Sequence, residues 1–430
     1  MRILIGLLIF LLTFAFAETS SAHTGEGKDE QQKEEPRDLE ALRRAAAAEA
    51  EKEEGSEDAA EDKVFKSGGL GLQKLNPEIS VTGDMLGDYR SGENEAIAWN
   101  TRFRGLGIHM EAYLDPYSRF KAAVPVSTEG AELGEAYFTR YGLIGNTNLT
   151  LGKFRQQFGI VNRWHKHGLD WFDFPLALRS IFGPGGLNQI GLSFEASGAT
   201  GRVTHGLIVE VTDGMNPLMF GGNSKNRPSI LGHYNAYQDL SPSTYLEVGL
   251  TGLVGWNDAW TIYGDMPSVD VTVTDTRTAA VYGADLNLLW EPTGRMRYRN
   301  IQWRSEVYFA DKDIQRPDGG GTDKLNPWGL YSLVQAKVSR TVEIGARYDY
   351  FRPDSKDYAS SDEYTLAPLA VTAADPNRHL AGAWLTWWQS PFVKFRGGYT
   401  YETTEMEDSD VHSVTFQMVF AAGPHKHERY

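Results

Sequence analysis

Beyond residue 66 the chain alternates apolar and polar positions in segments of roughly ten residues, the period of two that β-strands show. Within residues 342–350, for example, one set of alternate positions is Val342, Ile344, Ala346, Tyr348 and Tyr350, and the other is Glu343, Gly345, Arg347 and Asp349. The same pattern recurs in residues 301–307 and 393–402. It predicts strands with one apolar face and one charged face.

The alternation predicts sixteen strands, and fourteen or eighteen fit the pattern if the segment boundaries shift. They lie near residues 78–90, 101–114, 119–126, 133–142, 148–154, 190–197, 202–212, 230–240, 244–255, 278–290, 299–310, 328–338, 341–352, 379–389, 392–402 and 411–420. No apolar run reaches the roughly 20 residues of a membrane-spanning helix. The sequence therefore indicates an all-β protein.

Short and long connections alternate between these strands, which separates a membrane barrel from a soluble sandwich. Tight turns are expected near residues 115–118, 145–147, 198–201, 241–243, 339–340 and 390–391, whereas long polar connections fill 213–229, 256–277, 311–327 and 353–378. An even number of strands with this asymmetry predicts a transmembrane antiparallel β-barrel in residues 67–430. Its turns would face the periplasm and its long loops the cell exterior.

The segment that precedes the barrel has a different composition. Residues 1–17 carry an apolar run that ends in Ala15-Phe16-Ala17, the small-x-small pattern of a signal peptide. Residues 18–66 hold 16 acidic and 8 basic residues and only one aromatic, so they cannot bury a core. Residues 38–54 are predicted to form a short helix in this periplasmic segment. The helix would be either part of a solvated tether or a small coiled coil between subunits.

Composition and charge exclude several functions. The 430 residues contain no cysteine, so disulfide and thiolate metal chemistry are absent from the sequence. The net charge of −15 argues against nucleic-acid binding. No phosphate-binding loop, nucleophile elbow or His-Glu-x-x-His motif occurs. We therefore expect neither an enzyme nor a cofactor.

The connection in residues 155–188, the third long loop, carries too much apolar surface to extend into water. Its large apolar side chains include Trp164, Leu169, Trp171, Phe172, Phe174, Leu176, Leu178, Ile181 and Phe182. The lumen of a sixteen-stranded barrel is the largest concavity available to it. We expect the loop to constrict the pore, with packing on the outer rim as the alternative.

Charged residues on the loop and on the strands are the candidate pore residues. The predicted constriction set is Arg155, Arg163, His165, Lys166, His167 and Arg179, and the predicted wall set is Lys153, Arg304, Glu306, Glu343, Arg347, Asp349, Lys394 and Arg396. Acidic and basic positions are mixed in the wall, so strong anion selectivity is not expected. Two His-x-His pairs, His165 with His167 and His425 with His427, are weak candidates for metal ligands because neither has a third histidine nearby in sequence.

Short motifs resemble known families. The stretch Leu151-Gly152-Lys153-Phe154-Arg155-Gln156-Gln157-Phe158-Gly159 resembles the Gram-negative porins, particularly the phosphate-selective porin O and P branch. Residues 75–81, the loop from His165 to Gly183, and Gly423-Pro424-His425 are more similar to poorly characterised outer-membrane proteins, some labelled zinc-regulated or TonB-dependent. The last strand ends in Phe420, which resembles the signal that barrel assembly machinery reads.

Together these features predict a passive porin-like channel for small hydrophilic solutes in the bacterial outer membrane. Its partners would be outer-membrane lipids, the assembly machinery, the solutes and further copies of the chain in a trimer. Two alternatives stay open: a metal-related uptake protein that handles zinc, and a closed barrel with a structural or adhesive role at the cell surface.

Overall fold

The computed structural model describes residues 77–92, 95–220, 227–262, 269–295, 298–315, 321–354, 377–404 and 410–423. The predicted signal peptide, the acidic segment, the helix at residues 38–54 and the pair His425 and His427 lie outside these residues. Among the described residues, no helix is both long and apolar enough to cross a membrane.

The chain forms a closed antiparallel barrel of sixteen strands, which confirms the predicted fold. The wall strands are β1 Glu78–Gly92, β2 Glu95–Asp115, β3 Ser118–Ser127, β5 Glu135–Arg140, β6 Thr147–Arg155, β7 Asn188–Thr200, β8 Val203–Thr212, β9 Ser229–Ser241, β10 Thr244–Ile262, β11 Val269–Trp290, β12 Asn300–Gln315, β14 Trp328–Lys337, β15 Val342–Arg352, β16 Arg378–Ser390, β17 Val393–Thr404 and β18 Val411–Ala422. Two short strands, β4 Gly130–Ala131 and β13 Thr322–Leu325, extend connections at one end.

Closure comes from the pairing of the first and last strands. β1 runs antiparallel to β18 from Val81 opposite Ala422 to Gly92 opposite Val411, and β1 also pairs with β2. Every wall strand therefore has a neighbour on both sides. A closed sheet leaves no unpaired edge, as a barrel in lipid requires.

The two ends of the barrel differ in their connections. At one end, the turn rim, the connections are residues 116–117, 141–146, 201–202, 242–243, 291–299, 338–341 and 391–392. At the opposite end, the loop rim, β10 and β11 extend to 19 and 22 residues, well beyond the predicted segments. The first and last described strands begin and end at the turn rim, because Glu78 lies opposite Glu111 and Ala422 opposite Val81.

Side chains alternate between the two faces of the wall as the sequence predicted. Ile344 and Phe395 are exposed on the outer face, while their neighbours Glu343 and Arg396 are buried inside. Large apolar residues cover the outer face, which suits contact with lipid. The inner face carries charged residues such as Glu343 and Arg396 together with buried apolar residues such as Leu253 and Val281.

The apolar core is inside the barrel and belongs to the third long loop. The connection between β6 and β7 contains two 3₁₀ turns, Val161–Arg163 and Lys166–Gly168, and one short helix, α1 Leu176–Phe182. Its apolar residues are buried against wall residues that include Tyr308, Tyr331 and Trp384. A second helix, α2 Pro217–Phe220, follows β8 and packs against α1.

Candidate functional site

The third long loop, residues 155–188, is the inward loop of the barrel. One asparagine and one arginine join its two ends. Asn162 donates through Nδ2 to the carbonyl oxygens of Gln156 and Leu187, at 2.8 and 2.9 Å, and accepts from Leu187 N–H at 2.8 Å. The Arg155 guanidinium donates to the carbonyl oxygens of Asn162 and Gly185. These bonds hold the two limbs of the loop side by side where it leaves the wall.

Glu306 on β12 fixes the first turn of the loop. Its carboxylate accepts hydrogen bonds from the hydroxyls of Tyr308 and Tyr331 and from the backbone N–H of Val161, at 2.7–3.0 Å. Gly159 passes directly over this carboxylate with φ +60°, and a Cβ there would collide with Glu306 Oε2. Only glycine suits both the backbone conformation and the close approach.

Aromatic side chains of the loop fill recesses in the opposite wall. Trp171 packs against Trp384 with ring centroids 5.0 Å apart, and it lies over Gly382, where a Cβ would overlap the indole ring. Phe158 stacks on Tyr308 at 5.7 Å. Aromatic pairs at these separations add to the hydrophobic gain of burial.

Four basic wall residues hold the loop by its polar groups. Arg304 pairs with Asp170 at 2.7 Å and lies over the Trp164 ring, and both charged side chains are only 2% exposed. Arg347 donates to Asp173 O, and Arg396 donates to the carbonyl oxygens of Leu169 and Trp171. Lys394 donates to His167 O at 2.8 Å. Asp349 receives the N–H of Leu176 at the start of α1.

This placement corrects the predicted wall set in two ways. The side chains that face the interior at the loop, Arg304, Glu306, Arg347, Asp349, Lys394 and Arg396, are buried beneath it and do not line a water-filled path. Glu343 is also buried and accepts from Gln335, nearer the turn rim. Lys153 was placed on the wrong face: it lies opposite outward-facing Ile190 and donates to Leu133 O.

The residues of the predicted constriction set are spread along the loop and are less deeply buried than its apolar residues. Arg155, Arg163, His165, Lys166, His167 and Arg179 are all partly exposed, whereas the apolar residues between them are buried. Lys166 forms an ion pair with Asp173 at 3.2 Å. Burial lowers the pKa of Lys166. Burial alone would raise the pKa of Asp173, but the Lys166 and Arg179 charges lower it.

Two wall residues near His165 were missed by sequence reasoning. His109 on β2 and Glu135 on β5 face the interior, and Glu135 Oε2 lies 3.0 Å from His165 Nε2. Both residues sit at inward positions of their strands, which the alternation could have shown. Their contact with the loop could not be read from the sequence, because it depends on how the loop folds back. Met219 and Phe220 of α2, which packs against α1, are likewise buried, although the sequence predicts an outer loop there.

Comparison with known proteins supports the fold. No family model matches the chain. An uncharacterized protein of Aquifex aeolicus (strain VF5) is 33% identical over 277 residues, which cover 61% of this chain and 57% of that protein. The chain thus spans less than two thirds of that relative's length.

Solved structures with the same fold are outer-membrane proteins. An anion-selective porin from Comamonas acidovorans matches 80% of this chain and 99% of its own with a TM-score of 0.52 and 11% identity. The outer-membrane channel DcaP of Acinetobacter baumannii covers 83% and 99% with a TM-score of 0.51 and 11% identity. The chain has a porin-like barrel fold. At this level of identity the likeness establishes architecture, and the predicted phosphate-selective branch stays a prediction.

Proposed function

We propose that the protein is a passive channel of the bacterial outer membrane for small hydrophilic solutes, narrowed by its inward loop. The observation that carries this proposal is the contrast in burial along the loop. Its large apolar residues are buried against the wall, whereas six polar or basic residues of the loop stay partly exposed. A loop built to seal the barrel would gain nothing from half-exposed charges, which cost free energy unless water reaches them.

A planar bilayer experiment tests the proposal. Deleting residues 169–187 removes α1 and most of the apolar residues of the loop, so we expect a higher single-channel conductance and passage of larger sugars in liposome swelling. The matched control is a deletion of equal length in the connection between β15 and β16, residues 356–374, which should leave conductance unchanged. Unchanged conductance after the loop deletion would contradict a constricting role.

The alternative of a closed surface barrel makes the opposite prediction. A barrel that is purified, folded and inserted but never conducts would favour a structural or adhesive role over a channel. A single salt-gradient measurement on the unmodified protein therefore separates the two functions and gives its ion selectivity.

The membrane orientation is proposed with the turn rim in the periplasm. Epitope tags in residues 256–277 or 353–378 should be detected on intact cells, and tags near Ser241 or Ser390 should be detected only after the outer membrane is opened. Surface labelling of the turn tags would reverse the orientation.

We also propose that the barrel forms a homotrimer. One similar structure, OmpT of Vibrio cholerae, is described as a trimer form; it matches 81% of this chain with a TM-score of 0.50 and 8% identity. Mass measurement of the detergent-solubilised protein tests this, and a monomer mass at all concentrations would exclude the trimer.

A further inference from the structure

A groove runs along the outer face of β15, β16 and β17. Its floor consists of alanines: Ala346 lies directly opposite Ala383, and Ala381 is the next outward residue of β16 towards the loop rim. Tyr348 borders the groove on β15, and Tyr399 borders it on β17. The groove has a volume of about 490 Å³. Small side chains between large ones thus leave a furrow in a wall that faces lipid.

The tyrosines that border the furrow are tied to histidines at its loop-rim end. The Tyr348 hydroxyl lies 2.8 Å from His379 Nδ1, and the Tyr399 hydroxyl lies 2.6 Å from His412 Nδ1. Each imidazole ring also packs against a second tyrosine. These contacts fix the phenol rings on both sides, so the furrow is a built part of the folded wall.

The furrow lies at the depth of the lipid chains and ends at the level of the headgroups. Arg352 is exposed and is the second outward residue beyond Tyr348 towards the loop rim. From Ala346 to Arg352 the strand rises roughly 20 Å, at about 3.3 Å per residue. With a strand tilt of about 40°, this is roughly 15 Å along the membrane normal, or half of a hydrocarbon core of about 30 Å. Because Ala346 is next to Ile344, which is predicted near the midplane, Arg352 reaches the headgroups of the leaflet on the loop-rim side.

The groups at the loop-rim end of the furrow suit a phosphate. Arginine binds phosphate through two parallel hydrogen bonds, and an imidazole N–H is a further donor. Arg352, His379 and His412 all lie on the outer face at this end. The carboxylates closest to them in sequence already accept hydrogen bonds, Asp354 from a backbone N–H before β14 and Asp410 from hydroxyls on β17. Charge at this end therefore favours an anionic headgroup.

A second groove on the outer face provides a comparison. It lies nearer the turn rim, has a volume of about 430 Å³, and is bordered by Phe395 and Phe416. Among the described residues that line it, none that points outward is charged. Both grooves can accept an acyl chain, but only the furrow over the alanines continues to a basic group at headgroup level.

We propose that the furrow of β15–β17 is a specific binding site for a phosphate-bearing lipid of the leaflet at the loop rim. One acyl chain fills the furrow, Arg352 binds the phosphate, and His379 and His412 contact the headgroup. The proposal rests on the membrane placement of the barrel given above and is independent of conduction through the lumen.

The width of the furrow favours a lipid over a second copy of the chain. The tyrosines that border it stand two strands apart, with roughly 10 Å between the backbones of those strands. A chain of methylene groups can enter between the two rings. The broad wall of a second barrel could only cover the furrow and leave it unfilled.

Native mass spectrometry of the full-length protein in a non-ionic detergent tests the proposal. The probes are phosphatidic acid and a diacylglycerol with the same acyl chains, which differ only in the phosphate. We expect one phosphatidic acid per chain at saturation and about 10-fold weaker retention of diacylglycerol, because hydrogen bonds to charged groups are strong. Ala383→Trp fills the furrow and should abolish retention of both probes. Arg352→Gln should lower the affinity for phosphatidic acid about 10-fold and leave that for diacylglycerol unchanged.

The matched control is Gly397→Trp, which places the same indole ring in the second groove. This variant should retain phosphatidic acid like the unmodified protein. Where Ala383→Trp impairs folding, Arg352→Gln decides, because it alters only an exposed side chain. Equal retention of the two probes by the unmodified protein, or retention of phosphatidic acid that Arg352→Gln leaves unchanged, would overturn the proposal. Loss of an oligomer in Ala383→Trp without loss of lipid would assign the furrow to a contact between copies instead. Lipid retention is measured without a membrane current, so this result is separate from whether the barrel conducts.

Discussion

Two sets of charged residues at the inward loop differ in their exposure to water. On the wall side, charged groups are excluded from water and each is held by a specific partner, such as Asp170 by Arg304. Elsewhere on the loop, Arg163, Lys166 and Arg179 keep part of their surface exposed. Sequence reasoning grouped both sets as pore charges. The comparison teaches that facing the interior of a barrel does not by itself mean facing its water.

The largest expected effect is on the wall side. Arg304→Ala leaves Asp170 buried without its partner, and we expect the free energy of unfolding to fall by about 3–5 kcal/mol. Equilibrium unfolding in urea with vesicles measures this. Arg304→Met combined with Asp170→Leu should recover much of the loss, because no buried charge is left unpaired. A double variant no more stable than Arg304→Ala would show that the pair is not what stabilises this contact.

The next largest effect compares the two faces of the wall itself. Arg in place of Ile344 or Phe395, on the outer face, should cost about 2–4 kcal/mol near the bilayer midplane. Arg in place of Thr400, on the inner face, should cost much less. Equal losses at the two faces, measured by the same unfolding assay, would mean that the alternation has been assigned to the wrong faces.

The smallest effect on stability is expected for the partly exposed basic residues of the loop. Replacing Arg163, Lys166 and Arg179 together by glutamine should change the free energy of unfolding by only about 1 kcal/mol, since partly exposed ion pairs contribute little. The reversal potential should nevertheless move toward cation preference, because fixed charges in a narrow passage act strongly on ions. Lys153→Gln on the outer face is the control and should leave the reversal potential unchanged. A stable triple variant with an unaltered reversal potential would remove these residues from the permeation path.

Much of the wall could be predicted because strands that cross lipid alternate apolar side chains on the outer face with other side chains on the inner face. This alternation predicts all sixteen strands close to their observed positions. The extensions of β10 and β11 beyond the loop rim were missed, since strands outside the bilayer need no apolar face.

Inside the barrel, burial of the loop could be predicted from the sequence, but its contact partners could not. The apolar content of residues 155–188 was sufficient to predict burial, and the structure places that loop inside the barrel. Its partners were not predictable, because Arg396 and Trp171, or His109 and His165, meet only through the curvature of the whole barrel. Alternation reports which face a side chain occupies, and it carries no information about what lies across the lumen.

The hydrogen bonds between the loop and β17 also bear on how the chain folds. Arg396 and Lys394 contact loop residues that precede them by 225–227 positions. Contacts at such sequence separation form late and slowly, because nearly the whole intervening chain must be ordered first. The loop can therefore take its final position only once the C-terminal strands have arrived. Until then its large apolar side chains are not covered by the wall, and the interval before closure is the stage at which this protein is most exposed to aggregation.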